Sequence, residues 1–286
     1  MQVTRRSTLL GILGSLGPIP GWAQTSGPVA DYEAATGGRV GIYAENIVSG
    51  AKLEWRADER FVMCSTFKAS LAALILSRVD RGEEHLDLPI TYTTADLKDW
   101  HAPVAKANVA KGALSVGEMC KAAVQESDNT CATLLLTRVG GPAVLTSFWR
   151  AAGDGVSRLD DPEPFLNRIP LGDDRDTTTP RAMVGNFKHF VLGNILSPSS
   201  RLQLKTWLIG SVTGFDRLRA GIPQGWIVGD KTGNNGKDAA GDIAVAWPNP
   251  KTPVLVCAYT RGGKPDDRQL QVLFSAIGRA AARKLV

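Results

Sequence analysis

Three short segments of this 286-residue chain carry side chains that could do chemistry together. In "CSTFK", Ser65 precedes Lys68 by three positions, so on a helix the hydroxyl and the amine share one face. A lysine held neutral or away from water can take a proton from such a hydroxyl, and a helix N-terminus favours the negative charge that develops. That is the chemistry of an activated serine nucleophile. The competing reading is an ordinary helix start, with Ser65 as a cap and Lys68 as a solvated charge. "SDN" at Ser127, Asp128 and Asn129 falls at a break between helical patterns, where a hydroxyl and an amide project from a turn. "KTG" at Lys231, Thr232 and Gly233 ends an apolar strand whose backbone N–H groups could line a substrate as an added strand would. Taken singly, each also reads as turn chemistry or strand punctuation.

The elements that must position these groups are visible in the periodicities. A helical piece near residues 28–36 leads into "RVGIYAENIVSG" and "AKLEWRADERF", two alternating segments joined at Ser49 and Gly50, which predict a hairpin. From Ser65 to about Leu208 apolar residues such as Leu71, Leu74, Ile75 and Val79 recur at helical spacing. Strands return at "GWIVGDKTGN", "AGDIAVAWPNP" and "TPVLVCAYTRGG", and a last helix is predicted near residues 266–284. The pattern predicts an α+β fold: one antiparallel sheet built from both chain ends with flanking helices, and an inserted all-α domain. The expected lobes are 24–64 with 209–286, and 65–208. A cleft between them is the expected active site.

Residues 1–23 read as an export signal, with Arg5 and Arg6 before an apolar middle and small residues at Gly21 and Ala23; the arginine pair favours a twin-arginine route. The expected location is the periplasm or the exterior, with no membrane anchor after cleavage. Removing this segment takes away two arginines and no acids, leaving 31 Lys and Arg against 28 Asp and Glu, a charge of +3. That is too small a surplus to argue for nucleic acid. His85, His101 and His189 form no ligand-spaced pair and no cysteine lies in a C-x-x-C, so neither metal nor cofactor is expected. Cys64, Cys120, Cys131 and Cys257 are expected to be mostly buried thiols.

Occurring in this order, S-x-x-K, SDN and KTG are the signature of the penicillin-recognising serine enzymes. "RLDDPEPFLNRIP" adds Glu163 and Asn167 in E-x-x-L-N spacing, followed by "GDDRDTTTP". With these, the chain from about residue 28 onward resembles the class A serine β-lactamases. The resemblance implies a monomeric hydrolase of small-molecule β-lactams. Ser65 would form an acyl-enzyme, with Lys68 in the proton network, Ser127 relaying a proton to the leaving nitrogen, and Glu163 with Asn167 directing a deacylating water. Asn129, Lys231 and Thr232 would bind substrate, and the N–H groups of Ser65 and Asn234 would form the oxyanion hole. Trp100 is similar to the family's aromatic cleft wall, and Arg217 to an arginine that in some members reaches beneath the substrate carboxylate.

The chain departs from the family at one loop. Thr133 stands where a bracing asparagine is usual, and Asp161 replaces an arginine that normally pairs with the aspartate present here as Asp176. The resemblance implies two carboxylates facing each other at the loop neck, and a wider or rearranged loop. Asn235 and Ala72 occupy positions that hold disulfide partners of Cys64 and Cys120 in some members. Two rivals share part of the signature: a penicillin-binding peptidase, against which Glu163 and Asn167 argue, and a β-lactam sensor that stays acylated.

Overall fold

The structure is a computed structural model that describes residues 27–97 and 101–286. The export segment and Trp100 lie outside the described residues. Helix α1 (Pro28–Thr36) begins on Pro28, whose missing N–H matters least in the first turn, and stops at Gly37 in the left-handed region. The expected hairpin follows as β1 (Arg39–Asn46) and β2 (Lys52–Trp55). Next come β3 (Phe61–Val62), α2 (Phe67–Asp80), β4 (Pro89–Thr91), α3 (Pro103–Asn108), β5 (Ala113–Ser115), α4 (Val116–Gln125), α5 (Asn129–Val139) and α6 (Pro142–Ala151). The chain continues through β6 (Thr177–Thr178), α7 (Pro180–Phe187), α8 (Pro198–Ile209) and α9 (Leu218–Gly221). It ends with β7 (Ile227–Asn234), β8 (Ala239–Trp247), β9 (Val254–Arg261) and α10 (Asp267–Leu285).

The main sheet has the order β2-β1-β9-β8-β7, antiparallel throughout, so both chain ends build it as expected. Its inner strands are apolar on both faces because each face carries a separate core. On β9, Leu255, Cys257 and Tyr259 point into the core shared with helices α2, α4 and α5. Val254, Val256 and Ala258 point the other way, against Val29 and Tyr32 of α1 and Leu270, Leu273, Phe274 and Ile277 of α10. Strand alternation thus divides one hydrophobic run between two cores. All four cysteines are buried and unbridged.

Two features inside 65–208 were not expected. Strand β6 returns to pair with β3, and β4 pairs with β5, giving two small sheets beside the helices. Helix α7 packs against β1 and β9, forming part of the layer on that face of the sheet. Helix α10 is held close to α9 through Gly278, where an added Cβ would lie 2.1 Å from the Leu218 carbonyl oxygen. Gly278→Ala is therefore expected to destabilise the protein by about 1–3 kcal/mol, the usual cost of overpacking, despite alanine's better helix propensity. A thermal melt checks this, and an unchanged or raised Tm would show that the α9–α10 contact yields freely.

Candidate active site

Ser65 sits in a single 3₁₀ turn, Cys64–Thr66, that runs directly into α2. The preceding Cys64 has a φ of 45°, a left-handed backbone that a non-glycine residue adopts at some energetic cost. Thr66 is the N-cap residue of α2, but no side chain caps that helix. The Ser65 hydroxyl therefore does not serve as a cap, which removes the bland reading of the S-x-x-K segment. The Thr66 hydroxyl instead bonds the Met63 carbonyl and the Tyr259 hydroxyl, at 2.7 and 2.8 Å, tying the turn to β9.

Lys68 is completely buried. Its Nζ donates to the Ser127 carbonyl at 2.8 Å and to Asn129 Oδ1, and lies 3.3 Å from Glu163 Oε1. Burial pulls the Lys68 pKa down, while the Glu163 carboxylate pushes it back up. Lys231, also fully buried, donates to Ser127 Oγ at 3.0 Å. Burial and then the neighbouring Lys68 charge bring its pKa down to about 7. Ser127 thus joins two buried amines. Its backbone is left-handed, with φ at 55°. Asp128 supports this turn by capping α5 through Cys131 N and accepting from Val104 N and Ala105 N at the start of α3.

Glu163 closes the network. Its Oε1 accepts from Ser65 Oγ at 3.3 Å, and its Oε2 accepts from Asn167 Nδ2 at 2.6 Å. Ser65 and Lys68 share the Glu163 oxygen between them: the carboxylate touches both, each at 3.3 Å. Asn167 Oδ1 is buried without a partner among the described residues.

The neck of the Glu163 loop differs from the expected opposition of two carboxylates. Asp176 Oδ1 accepts the backbone N–H groups of Asp160 and Asp161, at 2.7 and 3.0 Å. The Asp161 carboxylate turns instead to Arg175, at 3.7 Å, and Asp160 pairs with Arg158. Thr133 bonds its own helix at the Asn129 carbonyl, 2.8 Å away. Burial, more than the Asp161 charge, raises the Asp176 pKa to about 6. Since this folded value lies above the unfolded one, the associated stability is present at low pH and is lost as pH rises through about 6. Asp176→Asn keeps an acceptor oxygen but removes the charge. Its Tm relative to wild type is expected to climb between pH 4.5 and 7.5; a constant difference would mean that the carboxyl titrates normally.

The cleft, about 350 Å³, is lined by Ser65, Ser127, Asn129, Thr232, Gly233 and Asn234, with His101, Thr213 and Asn235 at its edges. A larger hollow of about 580 Å³, between α1 and α10, touches none of the three motifs. The end of β7 passes so close to the nucleophile that a Cβ on Gly233 would lie 3.0 Å from Ser65 N. His101 has a φ of 57°, and its Nε2 is 2.7 Å from the Glu126 carbonyl oxygen. Its place in the cleft was not foreseen, and the unusual backbone that puts it there leaves no mark in residue type. Thr213 bonds Thr232 Oγ1 at 2.7 Å and was likewise missed. Arg217 is set back from the lining: its guanidinium lies 4.9 Å from the Phe274 ring centroid, and its Nη1 has no hydrogen-bond partner among the described residues. Among the described residues, no group of three or more His, Cys, Asp or Glu is placed to hold a metal.

Comparison with known proteins gives the family. The model of the beta-lactamase enzyme family matches residues 27–285. The chain is 40% identical to the carbapenem-hydrolyzing beta-lactamase KPC of Klebsiella oxytoca, over 100% of this chain and 98% of that one. It is 45% identical to beta-lactamase L2 of Stenotrophomonas maltophilia, over 89% and 84%. Among solved structures, the reconstructed last common ancestor of Gram-negative class A beta-lactamases superposes with a TM-score of 0.86 at 47% identity, covering 89% of this chain and 97% of that one. The fold and the site define a serine hydrolase, and the chain belongs to the class A serine β-lactamases.

Proposed function

We propose that the protein hydrolyses the β-lactam amide of penicillins and cephalosporins through a Ser65 acyl-enzyme and so confers resistance to them. The observation that carries this reading is the Glu163 carboxylate, 3.3 Å from both Ser65 Oγ and Lys68 Nζ and bonded to Asn167 through its other oxygen. A nucleophile and a hydrolytic base in one network distinguish a hydrolase from a sensor that stays acylated, and E-x-x-L-N argues against a peptidase. Ser65 Oγ attacks the lactam carbonyl carbon as its proton passes to Glu163. The N–H groups of Ser65 and Asn234 stabilise the oxyanion. The C–N bond then breaks, and the nitrogen takes a proton from Ser127, beside which Lys231 lies; the proton that Glu163 took up returns through Lys68 to Ser127, leaving Glu163 a carboxylate again. In the second half-reaction Glu163 deprotonates a water held with Asn167, which attacks the ester and releases Ser65 with its proton.

Lys231 and Thr232 would meet the substrate carboxylate, with Arg217 as a half-buried positive charge behind them, and Asn129 the side-chain amide. Trp100 would contribute to the cleft wall. Arg5 and Arg6 and the apolar stretch after them support export by a twin-arginine route, and the mature enzyme would act as a monomer. A chromogenic cephalosporin time course on the purified mature chain, with intact mass read during turnover, tests the function. Multiple turnovers with a transient adduct are expected; a single stoichiometric burst and a permanent adduct would identify a sensor instead.

A further inference from the structure

We propose that Arg261, Asp238 and Asn235 form a polar clasp that holds Asn167, and through it Glu163, in the geometry needed for deacylation. Three strands of observation meet here. Arg261, the last residue of β9, is 7% exposed and donates through Nη2 to the carbonyl of Ile169 in the Glu163 loop. Its Nη1 lies 3.3 Å from Asp238 Oδ1, in the turn between β7 and β8. The same Asp238 oxygen accepts from Asn235 Nδ2 at 2.9 Å, and that amide also makes a long bond, 3.4 Å, to the Asn167 carbonyl.

The clasp therefore grips the loop backbone on both sides of Arg168, at residues 167 and 169. Between these anchors and the reacting atoms there is one link, the 2.6 Å bond from Asn167 Nδ2 to Glu163 Oε2. Asn235 also organises the turn from which it reaches: its Oδ1 accepts the N–H groups of Lys237, Asp238 and Ala239. The far end of the loop is held separately, at Asp176. A charge-assisted bond from a buried guanidinium to a carbonyl is directional, so losing it lets the 167–169 backbone shift. Acylation uses the Glu163 oxygen that Ser65 and Lys68 contact directly, whereas the clasp grips the backbone of Asn167, which reaches Glu163 through its other oxygen. Deacylation depends on where Asn167 and Glu163 place a water. These three are positioning residues, and the inference rests on the reading that Glu163 performs deacylation.

The test separates the two half-reactions of benzylpenicillin turnover. In Arg261→Met the aliphatic stem remains and both polar contacts go. In Asn235→Asp the oxygen that organises the turn remains, while the donor to both the Asn167 carbonyl and Asp238 is lost and a carboxylate faces Asp238 in its place. Each variant is expected to lower kcat on the order of 10-fold to 100-fold, as for a small displacement of a catalytic group. KM should fall in parallel, leaving kcat/KM within about twofold of wild type, and acyl-enzyme should accumulate in intact-mass spectra. General loosening of the fold would instead lower kcat and kcat/KM together without an adduct, and that result, or wild-type kinetics, overturns the clasp. If Arg261→Met does not fold, Asn235→Asp decides alone. Glu163→Gln runs alongside. If its adduct forms and clears at the wild-type rate, the assignment of deacylation to Glu163 is wrong; if its adduct persists and the clasp variants accumulate none, only the clasp is wrong.

Discussion

Ser65→Ala is expected to abolish covalent labelling by a slowly hydrolysed β-lactam and to lower kcat by about 10⁴-fold or more, the scale on which loss of a nucleophile reduces a covalent mechanism to its residual background. The stability of the fold should hardly change. The hydroxyl caps no helix, and the hydrogen bonds that secure the turn belong to Thr66, through the Met63 carbonyl and Tyr259. Removing Ser65 Oγ leaves Glu163 Oε1 still 3.3 Å from Lys68 Nζ, so no buried charge is stranded. The informative pair of measurements is intact mass after incubation with the lactam and a thermal melt. Loss of labelling with a retained Tm places the nucleophile at Ser65. An adduct of unchanged stoichiometry would move it elsewhere, and a collapsed Tm would give the serine the structural role that its surroundings exclude.

How much of this was legible in the sequence depended on whether the governing interaction is local. The β1–β2 hairpin, β7, β8, β9 and α10 announced themselves because alternation and turn residues are properties of neighbours in the chain. The motif residues that line the cleft were legible because their types and order are chemically specific. The short β3–β6 and β4–β5 pairs were not: two- and three-residue strands have no period to read, and their partners lie far away in sequence. His101 was passed over because a lone histidine at a strained backbone position looks like any other polar residue. At the loop neck, the family resemblance implied that Asp161 would face Asp176, yet the Asp161 side chain turns towards Arg175. Arg217 shows the same limit. Its type suits a substrate carboxylate, while the Phe274 ring beneath it belongs to a helix that begins 50 residues later. The clasp joins three segments, and only the assembled sheet brings Arg261 to the Glu163 loop.

Glu163→Gln should have the opposite signature to Ser65→Ala: labelling persists and release stops. With its single oxygen facing Asn167 Nδ2 and its NH2 donating to Ser65 Oγ, the amide preserves the shape of the site, but it cannot take a proton from water. General-base catalysis contributes about 10²–10⁴-fold, and deacylation should slow by that factor. Acylation survives because of Lys68. In the wild type the Glu163 carboxylate opposes the burial that lowers the Lys68 pKa. Removing that charge lets the pKa fall further, so more of the amine is neutral near pH 7 and able to accept the Ser65 proton. The substitution thus disables one base while freeing another. Labelling should follow the same logic in its pH dependence, with the variant acylating at lower pH than it would if Lys68 kept a carboxylate partner. A time course of intact mass with benzylpenicillin measures both half-reactions: an adduct that forms within the first turnover and persists is the expected result. Clearance at the wild-type rate would assign the hydrolytic water to another base, and failure to label at any pH from 6 to 9 would show that Lys68 cannot replace the carboxylate in acylation, making Glu163 the sole base for both steps.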